Sequence, residues 1–403
     1  MKILFVAQPE SIHAARWIGL FSGLGWDIHL FPSSDMGLPN MDMPELRLHN
    51  ALCPCRKAAL PKAVRLTGIC LGSGLPGLLV RSVALRIPRF SGTRRLARLI
   101  QKLKPDIVHC LGIQSSAYLA LDALDLLEKN RPLLAVSNWG SDIFLFNRLS
   151  SHTERIRRVL ESCDLYFCEC ERDLNLALEK GFSGRAAPVV PNCGGFDIAL
   201  IESLRGRIRT SERRTILIKG YQGWAGRALV ALQALRLCQK SLSGYKVFVY
   251  SSRIETEIEV ELLRLDTGID IEILPKVSHS DLLNLFSESR IYIGLSISDG
   301  VSTSFLEAIA CGAFPIQSYT SCACEWIVNG NGGFLVPPED PCIVAELLRI
   351  ALTDDTLVNS AASDNWAITA AKLDRRSIKV KAISGYESLM KNMGKWPYAK
   401  AIE

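Results

Sequence analysis

Two carboxylates eight residues apart, Asp299 and Glu307, bracket a run of small polar residues in Ser298-Asp299-Gly300-Val301-Ser302-Thr303-Ser304-Phe305-Leu306-Glu307-Ala308. An apolar, strand-like run ends at Gly294 and Leu295, and an apolar helical pattern begins near Thr303 or Ser304. The start of a helix presents backbone N–H groups without intrahelical acceptors, together with the positive end of the helix dipole, and this suits a diphosphate. Gly300, Val301, Ser302, Thr303 and Ser304 are therefore candidate contacts to a phosphorylated ligand. Carboxylates repel phosphate but accept hydrogen bonds from hydroxyls, so a ribose and a hexose are the partners that Asp299 and Glu307 suit. On spacing alone a second reading stays open, in which Asp299-Gly300 is a turn and Glu307 lies on the helix surface.

The same stretch, continued by Cys311-Gly312-Ala313-Phe314-Pro315-Ile316, resembles the paired-acid motif of a large family of retaining glycosyltransferases. These are the family-4-like glycosyl transferases of group 1, which include glycogen synthase-like and lipopolysaccharide enzymes. The resemblance implies the GT-B fold, an α/β architecture of two Rossmann-like domains facing a central cleft. It also implies a UDP- or GDP-linked sugar as donor, with no metal and no cofactor. Glu307 then holds the nucleotide ribose and Asp299 contacts the donor sugar. The family usually has Glu followed by Gly-Phe-Gly at the first of these positions, whereas here Asp299 precedes Gly300-Val301-Ser302.

Other segments fall at family positions. Ile218-Lys219-Gly220-Tyr221-Gln222-Gly223-Trp224-Ala225-Gly226-Arg227 stands where the family has a strand, a Gly-rich loop and a helix with an Arg/Lys pair on the diphosphate, which maps that pair onto Lys219 and Arg227. Gly220-Tyr221 replaces the usual Gly-Arg, and ordinary surface charge is the other reading of the two cations. Fixed cations would stabilise a departing nucleoside diphosphate without a metal. Ser137-Asn138-Trp139-Gly140-Ser141-Asp142 resembles the segment that meets the donor from the first domain, with Trp139 where the family often has His before Gly140. His109 ends a family-like strand, and His13 and Arg16 follow the first strand, where the family meets its acceptor. These three are acceptor-side candidates, with core packing the other reading for His109 and helix packing for His13 and Arg16. Glu325-Trp326-Ile327 and Asn331-Gly332-Gly333-Phe334-Leu335-Val336-Pro337-Pro338 match the family's closing strand and loop.

Positioning these groups requires two domains. At 403 residues the chain exceeds what one core of about 200 residues organises. Strand-like runs at Ile3–Ala7, Asp27–Phe31, Ile107–Cys110, Leu133–Ser137 and Leu165–Cys168 alternate with helical patterns, which predicts βαβ units and a parallel sheet. The rhythm restarts with runs at 215–219, 246–250, 271–274, 291–294 and 314–316. The turn-rich Pro191-Asn192-Cys193-Gly194-Gly195 separates residues 1–195, the acceptor-side domain, from residues 196–377, the donor-binding domain. A helical pattern within 378–403 is expected to cross back to the first domain. Gly72-Ser73-Gly74-Leu75-Pro76-Gly77 spells the dinucleotide fingerprint, but it holds a proline and no acid follows it until Asp106, which argues against a dehydrogenase.

Apolar residues make up 48% and charged residues 22%, the balance of a folding globular chain rather than a disordered one. The thirteen cysteines are scattered through apolar runs, which predicts reduced thiols rather than a disulfide framework. No apolar stretch is long enough for a transmembrane helix, and Gln8-Pro9-Glu10 cuts the first apolar run too early for a signal peptide. The net charge is +6, and from Leu46 to Pro105 there is no Asp or Glu, while Arg and Lys recur among apolar residues. Such a segment suits an anionic membrane surface, a solvated basic face being the plainer alternative, and nothing in it resembles a nucleic-acid-binding module. The combined expectation is a cytoplasmic enzyme, peripheral on the inner face of a membrane. It would transfer a sugar with retention to a lipid-linked, lipopolysaccharide or capsule-type glycan. A non-catalytic sugar-binding or assembly subunit of the same fold and a nucleotide-sugar epimerase are the alternatives.

Overall fold

The computed structural model describes residues 1–34, 39–53, 60–71, 74–87, 91–127 and 131–392. The chain divides into two compact units, one of Met1–Gly194 with Ile378–Glu403 and the other of Gly195–Ser377. Each is a parallel sheet with helices connecting its strands, which is the Rossmann-like arrangement.

The first unit holds β1 (Lys2–Ala7), β2 (Asp27–Pro32), β3 (Leu46–Cys53), β4 (Val64–Cys70), β5 (Ile107–Leu111), β6 (Leu133–Ser137), β7 (Leu165–Phe167) and β8 (Arg185–Ala186). Their order is β4-β3-β2-β1-β5-β6-β7-β8, with every pairing parallel. The unbroken apolar run Ile3-Leu4-Phe5-Val6 is fully buried because β1 is covered on both faces, which requires apolar residues at consecutive positions. Order reverses between β1 and β5, and helix α1 (Ile12–Gly19) follows β1, started by Ser11, whose side chain accepts from the Ala14 N–H. This places His13 and Arg16 just beyond the C-terminal end of a strand at the reversal, where such sheets open a crevice.

The basic segment supplies the edge of this sheet, through β3, β4 and two helices, α2 (Leu75–Arg86) and α3 (Gly92–Leu103). None of these elements was expected from the strand and helix patterns above, since β4 lies at the edge and leaves Arg65, Thr67, Gly68 and Ile69 exposed. Of the fingerprint-like Gly72–Gly77 run, Gly72 and Ser73 lie outside the described residues, and Leu75-Pro76-Gly77 begin α2, which follows the edge strand β4 and not a strand at the order reversal. Cys55 and residues 393–403 of the expected C-terminal segment also lie outside the described residues. No disulfide joins the described cysteines. The last described helix, Arg375–Asn392, runs into the first unit, where the Tyr386 ring packs on Phe21, Trp26 and Phe167.

The loops after β5 and β6 meet at one carboxylate. Asp142 Oδ2 accepts from the Ile113 N–H at 3.0 Å and the Trp139 N–H at 3.2 Å. Gly112, at φ 96°, and Gly140, at φ 85°, turn the two loops through conformations that side chains disfavour. Burial pushes the Asp142 carboxyl up to about 6, against the two N–H donors, and the nearby Asp173 charge adds to the rise.

The second unit holds β9 (Thr215–Lys219), β10 (Lys246–Tyr250), β11 (Ile271–Ile273), β12 (Ser289–Gly294), β13 (Phe314–Ser318) and β14 (Phe334–Val336), in the order β11-β10-β9-β12-β13-β14 and all parallel. This is the 3-2-1-4-5-6 order of mononucleotide-binding halves, with its reversal between β9 and β12. Two buried arginines tie the outer connections to the sheet. Arg290 donates to the carbonyls of Ala351 and Ser211, and Arg213 to those of Ser289 and Cys311. Each guanidinium thereby occupies several carbonyl acceptors that a buried apolar residue would leave unpaired.

Because the folded state holds the Asp142 proton more tightly than the unfolded chain, its ionisation opposes folding. Stability should fall as pH rises from about 4, the unfolded value, through about 6, by roughly 2 kcal/mol for this group. Asp142→Asn keeps an oxygen for both N–H groups and cannot ionise. The stability gap between variant and wild type in urea unfolding should shift by about that amount in the variant's favour between pH 4 and 7. A gap that does not change with pH would refute the assignment.

Candidate functional site

Lys219 ends β9 and Gly294 ends β12, and the two strands are neighbours at the reversal, with Ile218 paired to Ile293. The loops leaving them are stitched together, since Arg227 N–H donates to Leu295 O at 3.0 Å and Ile297 N–H donates to Ala225 O at 2.9 Å. Gly226 is required by this approach, because a Cβ there would fall 2.1 Å from Tyr221 O. Beyond the second loop begins the helix carrying Glu307. In chain order the helices of the site are α4 (Ala228–Leu237), α5 (His279–Glu288) and α6 (Thr303–Ala310).

The N-cap of α6 is Ser302, and its side chain makes no cap bond to the helix. Instead its Oγ accepts from Lys219 Nζ at 3.3 Å, so a cation stands at the positive end of a helix. Two like charges converge there, and the combination favours an anion. Val301 and Ser302 are buried, Thr303 and Ser304 half-buried, and Gly300 O accepts from the Cys322 N–H at 2.8 Å, which fixes the loop in front of the helix.

Beneath the loop lies a polar floor that the sequence did not reveal. The hydroxyls of Tyr250 and Tyr292 and Oε1 of Gln317 are buried, and the two phenols lie near each other and near Ser304 and Ser302 without meeting a partner in full hydrogen-bond geometry among the described residues. Burial holds both phenols well above their usual range, and the charges of Asp299 and Glu307 push Tyr292 in the same direction, which places both acids close to it. Gly294 is required above this floor, since a Cβ there would lie 2.3 Å from the Tyr292 hydroxyl. Buried, unpaired hydroxyls are costly on their own and become favourable when a polar ligand or bridging water reaches them. Both tyrosines looked like ordinary strand residues. The signal available was a phenol hydroxyl within the apolar part of each strand.

Glu307 is not on the helix surface. Its side chain is buried, and Oε1 lies 2.6 Å from Nε2 of His279, the first residue of α5. His279 is a second residue that spacing could not supply, because only the packing of α5 on α6 brings it to Glu307. Asp299 is half-buried in the loop before α6. Arg227, the N-cap residue of α4, turns its guanidinium to Glu339 at 3.0 Å and to the carbonyls of Gly223 and Gly226. The structure thus puts Lys219 on the helix start and pairs Arg227 with the Gly-rich loop and an exposed acid.

In the first unit, His13 and Trp139 approach edge to face, with ring centroids 6.0 Å apart, joining the first turn of α1 to the loop after β6 that carries Gly140. Arg16 is half-buried on the same helix as His13. His109 corrects an expectation. It is fully buried, with Nδ1 2.5 Å from the Tyr386 hydroxyl and Nε2 2.9 Å from Ser137 Oγ, and burial lowers its pKa to about 3. A neutral imidazole sealed among Phe5, Trp17 and Phe167 cannot contact an acceptor, and its role is to hold the last helix against β5 and β6.

The sequence profile of glycosyl transferases group 1 matches residues 210–371, and that of the glycosyl transferase 4-like proteins matches residues 79–168. No curated protein matches the chain. Among solved structures, the chain is similar to Anabaena HepE in complex with UDP-glucose, at 14% identity and TM-score 0.68 over 96% of this chain and 100% of that one. It is similar to a sucrose-phosphate synthase of Thermosynechococcus elongatus at 13% identity and TM-score 0.69, covering 97% and 100%. A glycosyltransferase of Rickettsia africae aligns at 16% identity and TM-score 0.62, covering 97% and 99%. At these identities the likeness establishes the fold, and the two profiles establish the lineage: the chain belongs to the group 1, family-4-like glycosyltransferases and has the GT-B fold.

Proposed function

We propose that this glycosyltransferase takes a sugar from a UDP-linked donor held by the second unit and transfers it with retention. The observation that carries the reading is the juxtaposition, at the order reversal of one sheet, of the Lys219 ammonium, the start of α6 and the buried Glu307 carboxylate. Lys219 and the start of α6 would take the diphosphate, with Arg227 joining by leaving Glu339. Glu307 would accept from the ribose and Asp299 from the sugar. The Anabaena structure holds UDP-glucose, which favours uridine nucleotides as the first donors to try. In the transfer, the bond from the anomeric carbon to the phosphate oxygen breaks as an acceptor hydroxyl adds on the same face. The acceptor proton passes to the leaving diphosphate, whose charge the cations and helix dipole stabilise. No metal is needed for that stabilisation when fixed cations supply it.

The acceptor side is assigned to the first unit, around His13 and Arg16. A lipid-linked or lipopolysaccharide-like acceptor at the cytoplasmic face of an anionic membrane is supported by two features of the basic edge. The segment from Leu46 to Pro105 carries no acid, and within it α2 exposes Leu75, Leu79, Val80 and Val83 and β4 exposes Ile69. Apolar side chains in a segment rich in arginine match a bilayer interface, where each cation contributes about 1 kcal/mol. No described helix is long and apolar enough to cross a membrane.

Incubation with a panel of UDP- and GDP-sugars should release nucleotide slowly from one of them, and Glu307→Gln should lower that rate about 10- to 100-fold through loss of a charge-assisted hydrogen bond. Consumption of donor to give a rearranged sugar would instead indicate an epimerase, and no turnover or binding of any donor would indicate a non-catalytic subunit. Chelation with EDTA should leave the rate unchanged; a loss restored by added divalent cation would refute metal independence. The protein should co-sediment with phosphatidylglycerol vesicles more than with phosphatidylcholine vesicles, and Leu79→Glu with Val83→Glu should reduce that binding. Equal binding to both vesicle types would count against the membrane role.

A further inference from the structure

The buried Glu307 carboxylate meets a half-exposed imidazole, that of His279. The His279 side chain is 45% exposed and that of Glu307 4%, with 2.6 Å between Nε2 and Oε1. A carboxylate only accepts, so Nε2 carries the hydrogen and donates it to Oε1, which leaves Nδ1 as the second polar atom of the ring. The histidine is held in place from its own side. Ser278 caps α5 by accepting from the Asp281 N–H at 3.1 Å, and α5 packs on α6, so the ring sits over Glu307 by helix packing rather than by chance of a mobile loop. A bond from an N–H to a buried carboxylate is charge-assisted and fixes the direction of the carboxylate's remaining lone pairs.

We propose that His279 is a positioning residue of the donor site, orienting Glu307 to accept from the ribose diol and thereby making the site select ribonucleotides over nucleotides without those hydroxyls. The inference rests on the donor-site reading given above and extends it from one acid to a pair. Without His279, Glu307 would lose the N–H donor that faces its Oε1. With Oε1 engaged by a rigid ring, it becomes a preset acceptor, and sites preset to hydrogen-bond a hydroxyl discriminate strongly against analogues that lack it. A substitution that merely loosened α5 would instead weaken every nucleotide alike, because the diphosphate contacts at Lys219 and the start of α6 do not depend on the sugar hydroxyls.

The test is binding of UDP and of 2′,3′-dideoxy-UDP to the full chain by calorimetry, with thermal unfolding of each variant as the control for folding. Wild type should prefer UDP by about tenfold or more, the worth of one good hydrogen bond to a charged group. His279→Ala should weaken UDP by about tenfold and leave the dideoxy nucleotide within about twofold, so that the preference collapses. His279→Gln, whose amide also donates, should recover most of it, and Lys219→Ala should weaken both nucleotides by the same factor. Equal weakening of both by His279→Ala, or no change in either, overturns the proposal. Wild type that binds UDP without distinguishing it from the dideoxy form overturns the ribose assignment while leaving the diphosphate site, and wild type that binds neither nucleotide removes the donor-site reading with it.

Discussion

The reversal of strand order between β9 and β12 is the constraint on which the second unit's chemistry depends. Helices leaving β9 and β12 pass to opposite faces of the sheet, so a crevice opens above adjacent strand ends, with the two loops joined by hydrogen bonds between their backbones. Everything chemically useful is then a matter of what the ends of two neighbouring strands carry. β9 ends in Lys219, and β12 leads through the Asp299 loop into α6, so a cation and a helix start meet without any long-range design. The small residues around them follow from the same crowding. Gly226 and Gly294 lie where a Cβ would strike a carbonyl or a phenol, and both bring backbone close to the place a ligand would occupy.

The burial of Glu307 changes what that residue can be. A carboxylate on a helix surface is indifferent to its neighbours, whereas one with 3% exposure is tolerated only with donors at hand. His279 is one, and the phenols of Tyr250 and Tyr292 lie close enough to feel the same charge. The site therefore stores an imbalance. Acceptor groups and hydroxyls are gathered in a space where water is scarce, and a ligand rich in hydroxyls and phosphate resolves the imbalance better than solvent does.

Most of the fold was legible because buried parallel strands write themselves as apolar runs. Thr215–Lys219, Lys246–Tyr250 and Leu133–Ser137 coincide with their patterns residue for residue, since each is covered on both faces. The edge was illegible for the same reason in reverse. β3 and β4 lack that double cover, their polar residues break the pattern, and a segment rich in arginine read as surface rather than sheet. In the site, the residues next to one another in sequence were found and those joined by packing were not. Asp299, Ser302 and Glu307 share one loop and helix, but His279 arrives on another helix, and Tyr250 and Tyr292 arrive from two strands. His109 shows the opposite failure, a histidine at a suggestive strand end whose partners, Ser137 and Tyr386, seal it in the core.

The two cations assigned to the diphosphate differ in how they are held, and the difference fits a site that must bind and then release. Lys219 projects from the end of a central strand onto Ser302, a neutral partner that leaves its charge uncompensated by that contact. Arg227 is compensated, by a Glu339 side chain that is 65% exposed. An ion pair with so exposed a partner contributes roughly 0–1 kcal/mol, little enough for an arriving diphosphate of higher charge to replace it. In the proposed reading Lys219 is the standing element of the anion site and Arg227 the exchangeable one, drawn from Glu339 when phosphate charge is present and returned when the nucleotide departs. The two carbonyls of Gly223 and Gly226 that also hold the guanidinium keep it near the Gly-rich loop throughout, so the exchange needs a change of side-chain partner and no movement of the backbone.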